Sequence, residues 1–172
     1  FSRAGVTGVS PIERTGSCPV SEGFVLHVRL GFCISAPEAW TVYNVDGGLA
    51  ASLGTTPGQA ISLRPDWAGE AFVCDLMVYI AAGDSPPEQL QIHYDEYRSR
   101  ADLAGLSPVT VQTLGEMAMP GFTWELKSGE SGGIFIDAVG VNRLAHINYG
   151  GSRCPQVDLE PVLNTLRFSA EQ

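Results

Sequence analysis

His93 and Glu96 stand three residues apart in the stretch QIHYDEYR. On a helix that spacing puts two metal ligands on one turn, so the pair is the best metal candidate in the chain. Two ligands from one exposed turn make a weak site, and the sequence does not identify a third. His146, Ser152 and Asp137 supply the residue types of a nucleophile, its base and an orienting acid. No G-x-S-x-G elbow surrounds the serine, so a hydrolase ranks last among the readings. Asp66-Trp67-Ala68-Gly69-Glu70 is a third candidate: an aromatic side chain flanked by carboxylates in a loop, suited to docking a protein. The alternative for Trp67 is packing onto the core. No glycine-rich phosphate loop, flavin motif or C-x-x-C-H haem motif occurs, so no cofactor is expected.

Four cysteines, Cys18, Cys33, Cys74 and Cys154, are widely spaced and form no C-x-x-C. That excludes the usual zinc knuckles and fits two disulfides in an exported protein, against four reduced cysteines in a cytosolic one. Three connectivities are open. The favoured one is Cys18–Cys33, tying an N-terminal arm to the first strands, with Cys74–Cys154 closing a long loop.

The net charge is −9, with 10 Lys and Arg against 19 Asp and Glu. Only Lys127 is a lysine. Scattered cations make no basic stripe, so nucleic acid is excluded as a partner and an anionic membrane surface is disfavoured. A protein with a basic face, or a loosely bound divalent cation, suits this balance. No apolar run reaches the roughly 20 residues of a membrane span. The chain opens on Phe1 rather than methionine, which leads us to expect a signal peptide already removed and an extracytoplasmic location, periplasmic, secreted or lumenal.

The elements that must position these residues follow from pattern. Residues 1–22 read as an extended arm, and 23–172 as a single domain. Phe24–Val28, Leu30–Ala36, Thr41–Val45, Leu49–Leu53, Ile61–Leu63 and Ala71–Ala82 are strand-like, and Asp46-Gly47-Gly48 is a turn signal. Ser85-Pro86-Pro87-Glu88 predicts a capped helix start. Leu90, Tyr94, Tyr97, Ala101 and Ala104 then form a stripe, predicting a helix over 86–104 with Glu96 paired to Arg100. Val109–Met117, Phe122–Leu126, Gly133–Ala138 and Val141–Tyr149 read as a four-stranded antiparallel meander. Met119-Pro120-Gly121, 128–132 and Val139-Gly140 would be its connections. Asp158 would cap a last helix with Pro161 in its first turn, and Arg167-Phe168 would lead out of the fold. Helices covering an antiparallel sheet give an α+β sandwich.

One stretch adds a resemblance. Phe32, Ile34, Pro37 and Trp40 fit F-x-I-x-x-P-x-x-W, the strand and proline–tryptophan corner of the Mog1/PsbP-like proteins. Tyr94-x-x-Tyr97, the run Met119 to Glu125, and Val162 to Phe168 follow in the order that this family shows. The resemblance spans 24–168. Ala39 stands where the family often has glycine, and the cysteines and the arm are not family features. It implies an α/β/α sandwich with a mainly antiparallel central sheet, and a non-catalytic accessory or interaction module, peripheral to a larger extracytoplasmic or membrane-associated assembly. Some photosynthetic relatives bind divalent cations. The other reading is a small-molecule or cation-binding protein of the same fold, its cleft lined by Trp40, Trp67 and Trp124. Trp40 itself is either a plug at the end of the sandwich or an exposed anchor.

Overall fold

A computed structural model of the protein describes residues 9–11, 24–27, 32–35, 39–45, 60–68, 73–115 and 117–168. Its strands are β1 (Val9–Pro11), β2 (Phe24–His27), β3 (Phe32–Ser35), β4 (Trp40–Val45), β5 (Ala60–Pro65) and β6 (Asp75–Ala82). After helix α1 (Pro86–Arg98) come β7 (Leu103–Leu106), β8 (Thr110–Leu114), β9 (Met117–Leu126), β10 (Ser131–Gly140) and β11 (Arg143–Gly151). Helix α2 (Gln156–Leu163) and β12 (Arg167–Phe168) follow. Nine strands make one antiparallel sheet in the order β1-β4-β5-β6-β11-β10-β9-β7, with β8 also beside β9. A smaller sheet has the order β12-β3-β2. The fold is an α+β sandwich.

Side chains alternate across a strand, so register decides which residues share a face. Leu76, Val78 and Ile80 of β6 lie beside Tyr149, Ile147 and Ala145 of β11. With Ile61 and Leu63 of β5 and Phe135 of β10 they build the larger core. Leu159, Val162, Leu163 and Leu166 from the region of α2, and Phe32 and Ile34 from the smaller sheet, cover that face. On the opposite face α1 lays Leu90 against Phe122, Ile134, Ile136 and Leu144. Leu90 is fully buried, and cutting it to alanine is expected to cost about 3 kcal/mol.

Several boundaries differ from the sequence expectation. Helix α1 stops at Arg98 rather than near 104. The next residues are claimed by a sheet edge: Leu103, Gly105 and Leu106 pair with Leu126, Glu125 and Trp124. Arg100 does not pair with Glu96 but grips Asp102, Nε to Oδ1 at 2.8 Å and the second nitrogen to Oδ2 at 2.9 Å. Ser85 makes no side-chain cap. Prolines at the first two positions have already removed two N–H groups that a cap would serve.

Met119-Pro120-Gly121 is not a connection but the middle of β9, paired with Thr110 to Gln112. The true turn is at Gly115, whose φ of +60° suits glycine. Val139 and Gly140 belong to β10, and Val141-Asn142 makes the hairpin, with Asn142 left-handed at φ 55°. The central strand begins at Asp75, not Ala71. Helix α2 starts at Gln156 with Pro155 at its cap, not Asp158, so Pro161 lies inside the helix and removes one hydrogen bond. Arg167-Phe168 does not leave the fold: it pairs with Cys33 and Phe32. The arm apart from 9–11, the Asp46 turn, the 49–53 strand and Pro37 lie outside the described residues.

β7 and β8 run end to end along the same side of β9, broken at Ser107-Pro108. Ser107 bridges the break: its N–H donates to the Thr123 carbonyl at 2.9 Å, and its Oγ accepts from the Thr123 N–H at 2.8 Å. Pro108 has no N–H to offer the ladder.

Cys74 and Cys154 form a disulfide across 80 residues, as the favoured connectivity has it. Cys33 is also disulfide-bonded, while Cys18, its expected partner, lies outside the described residues. In the loop-entropy account, a bridge of that separation is worth about 4.5 kcal/mol. Replacing both Cys74 and Cys154 by serine is therefore expected to lower the urea midpoint by that equivalent. An unchanged midpoint would show that the bridge does not constrain the unfolded chain.

Candidate functional site

The face that carries α1 is not apolar throughout. The register that makes the larger core places Asp75, Met77 and Tyr79 of β6 opposite Gly150, Asn148 and His146 of β11. Ser62 of β5 stands opposite Met77. Buried polar side chains need partners, and Ser62, Arg64 and Asp75 supply them to one another. Ser62 Oγ donates to Asp75 Oδ1, and Arg64 reaches Asp75 Oδ2 at 3.4 Å. All three are nearly fully buried. Burial pushes the Asp75 carboxyl up, against the Ser62 hydrogen bond and the Arg64 charge that pull it down.

Beside this cluster the floor is made of glycine. A methyl group on Gly150 would meet Trp124 Cζ2 at 2.8 Å, and one on Gly132 would meet the same atom at 2.6 Å. The Trp124 indole thus lies across both glycines. Tyr97 of α1 stacks on Trp124 with ring centroids 5.0 Å apart, and Arg100 stands 5.6 Å over the Tyr97 ring. Between floor and helix end is a cavity of about 300 Å³, bordered by Asp75, Met77, Tyr97, Trp124, Glu130 and Asn148. Trp124 Nε1 and Asn148 Oδ1 are buried without a hydrogen-bond partner in the protein. A second cavity of about 350 Å³ lies beyond Trp124, towards Ser107 and Gln156.

His93 and Glu96 do come together, His93 Nδ1 to Glu96 Oε2 at 3.5 Å. His146 lies below, its ring 6.4 Å from that of His93 and stacked at 4.5 Å on Tyr79. Among the described residues no group of three or more His, Cys, Asp or Glu could hold a metal ion. Burial holds the His146 imidazole down at about 4, with the His93 charge a smaller cause.

The other candidates lie apart. Asp137 stands opposite Ala145 and so on the other sheet face from His146, and its Oδ1 accepts the Ala138 N–H at 2.8 Å. Ser152 is exposed beyond the end of β11, roughly 20 Å of extended chain from His146. Asp66 opens a short 3-10 helix, Asp66–Ala68, directly after β5. It accepts a hydrogen bond from Thr41 Oγ1 at 2.6 Å and donates its N–H to the Ala39 carbonyl at 2.7 Å. These bonds hold the tryptophan corner against the loop. Trp40 is half-buried and packs on the larger core. Trp67 is 52% exposed, with the Arg153 guanidinium 5.3 Å over its ring. Glu70 lies outside the described residues. Trp40 and Trp124 contact opposite faces of the sheet, so the three tryptophans do not line one cleft. Sequence reasoning missed Asp75, Ser62, Arg64 and Asn148. The one signal was an acid inside the apolar run FVCDLMVYIAA.

No family model matches the chain, and no curated protein matches it. Similar solved structures include the following two. One is a crystal structure from Bacteroides thetaiotaomicron VPI-5482, with a TM-score of 0.47 and 10% identity over 80% of this chain. This chain spans 45% of that protein's length. The other is the solution structure of PsbP (CyanoP) from Synechocystis sp. PCC 6803, with a TM-score of 0.43 and 14% identity. It covers 89% of this chain and 98% of its own.

The buried His146 sets a pH dependence. Its folded value of about 4 lies below the ordinary 6.5. Between these values the unfolded chain takes up a proton that the folded one does not, so stability falls as pH drops from 6.5 to 4. The share of this one group is about 3 kcal/mol. Asp75 acts in the opposite sense, its contribution falling as pH rises above 3.8. His146→Phe, which keeps a ring on Tyr79, should lose about 3 kcal/mol less than the parent across this window in urea titrations. Equal losses would place the proton uptake elsewhere.

Proposed function

We propose that the protein is a non-catalytic interaction module that works outside the cytoplasm and docks a protein partner through the Trp67 corner. Trp67 carries the reading: a large aromatic ring half in solvent, on a short helix tied down by Asp66. Arg153 covers one side of it. Tryptophan and arginine are the residue types that dominate binding energy at interfaces, and a ring already held in place loses little entropy on docking. The charge of −9 suits a partner with a basic face. The Cys74–Cys154 disulfide supports an oxidising compartment. Among the described residues no helix is long and apolar enough to cross a membrane, so association with a membrane assembly would be peripheral.

A photo-crosslinking residue at Trp67, in the native source, should give a discrete adduct to one protein. The same residue at Val141, 96% exposed on a distant hairpin, should give none. Trp67→Ala should weaken that partner at least about tenfold while moving stability by less than about 1 kcal/mol. Adducts at Val141 but not at Trp67 would sink the proposal.

A further inference from the structure

We propose that the cavity under the C-terminal end of α1 binds a small organic cation, a primary ammonium group carried on an apolar body. The hydrogen-bonding capacity of its floor is unbalanced. A carboxylate offers about four acceptor positions. Asp75 gives one oxygen to Ser62 and the other, at 3.4 Å, to Arg64. Asn148 Oδ1 has no donor in the protein. Asp75 stands opposite Gly150 and Asn148 opposite Met77, so the two are diagonal neighbours on one face, roughly 7 Å apart at the backbone. An ammonium has three donors on one atom and spans that gap.

The walls suit the rest of such a ligand. Met77, Tyr97, Trp124, Leu126 and Ile134 offer apolar and aromatic surface, and ring faces attract cations. Glu130 adds a carboxylate at the rim. The cation at that rim, Arg100, is held bidentately by Asp102 and brings little free positive charge. An anion would face both Asp75 and Glu130. A neutral hydrocarbon would leave Asn148 Oδ1 without a donor, since the side chain's hydrogen bond with Tyr79 does not satisfy that atom. The volume of about 300 Å³ is that of a small-ligand site. The cavity is independent of the Trp67 corner, which does not border it.

Nitrogen-15 NMR of the full chain tests this with phenethylammonium chloride. Phenethyl alcohol and phenylacetate serve as neutral and anionic counterparts. The ammonium should saturate shifts of the Trp124 indole N–H and the Asn148 side-chain amide, at least about tenfold more tightly than either counterpart. Glu130→Gln, at the partly exposed rim, should weaken binding about threefold, and Asn148→Leu about tenfold. Trp67→Ala should leave binding unchanged, which separates this test from that of the partner surface. The proposal is overturned by any of three results. These are no saturable shift at about 10 mM, equal binding of the alcohol or the acid, or parent-like affinity in both cavity variants.

Discussion

The eight-position register of Asp75–Ala82 against Arg143–Gly150 is the constraint on which the rest of the structure depends. It places β6 beside β11, although a helix and four other strands come between them in sequence. It fixes both faces at once. One face receives Leu76, Val78, Ile80, Ala145 and Ile147, all buried in the larger core. The other receives Asp75, Tyr79, His146 and Asn148. A slip of one residue would exchange the two sets, placing a carboxyl and an imidazole in the apolar core. The cost of burying the Asp75 carboxyl away from Ser62 and Arg64 makes that alternative inaccessible.

This register also explains why one sheet carries two kinds of surface. Arg64 and Asp66 lie two residues apart at the end of β5. Arg64 turns inward to Asp75 and serves the cavity, while Asp66 leaves the strand and anchors the Trp67 corner. The buried cluster and the exposed aromatic ring are thus adjacent in sequence and separate in chemistry. The first is a set of charged and polar groups taken out of solvent. The second is an aromatic ring left half in solvent.

Much of the fold is legible in the sequence because its signals are local. The Leu90, Tyr94, Tyr97 stripe identifies the first helix and its buried side, and those three residues do face Phe122 and its neighbours. Short connections between strand-like runs give the meander, although two of the three turns fall elsewhere, at Gly115 and at Val141-Asn142. What stays illegible is decided at a distance. Nothing near Ser99 says that the chain will be captured by the edge of β9, since the competing hydrogen bonds belong to residues 124–126. Pro120 reads as a breaker, yet it sits in a strand. Asp75 reads as one acid in an apolar run, and only the pairing with β5 and β11 gives it Ser62, Arg64 and a cavity. The Trp67 candidate was legible because an aromatic residue flanked by acids in a loop is a local feature, while its exposure comes from the structure. The cavity was not, because its walls come from five elements.

The break at Ser107-Pro108 has a consequence for how the molecule meets its own copies. The outer side of β7 and β8 is an edge of the sheet, the place where a stray strand from another chain could add on and begin a fibre. Here the edge is cut into pieces of four and five residues, with a proline between them that donates nothing. Gln156 reaches across from α2 and occupies the Thr113 carbonyl at 3.2 Å. Val109 and Val111 are exposed there and would otherwise invite such pairing. The same serine–proline step that lets the backbone pass from one strand to the next therefore acts as a guard against polymerisation.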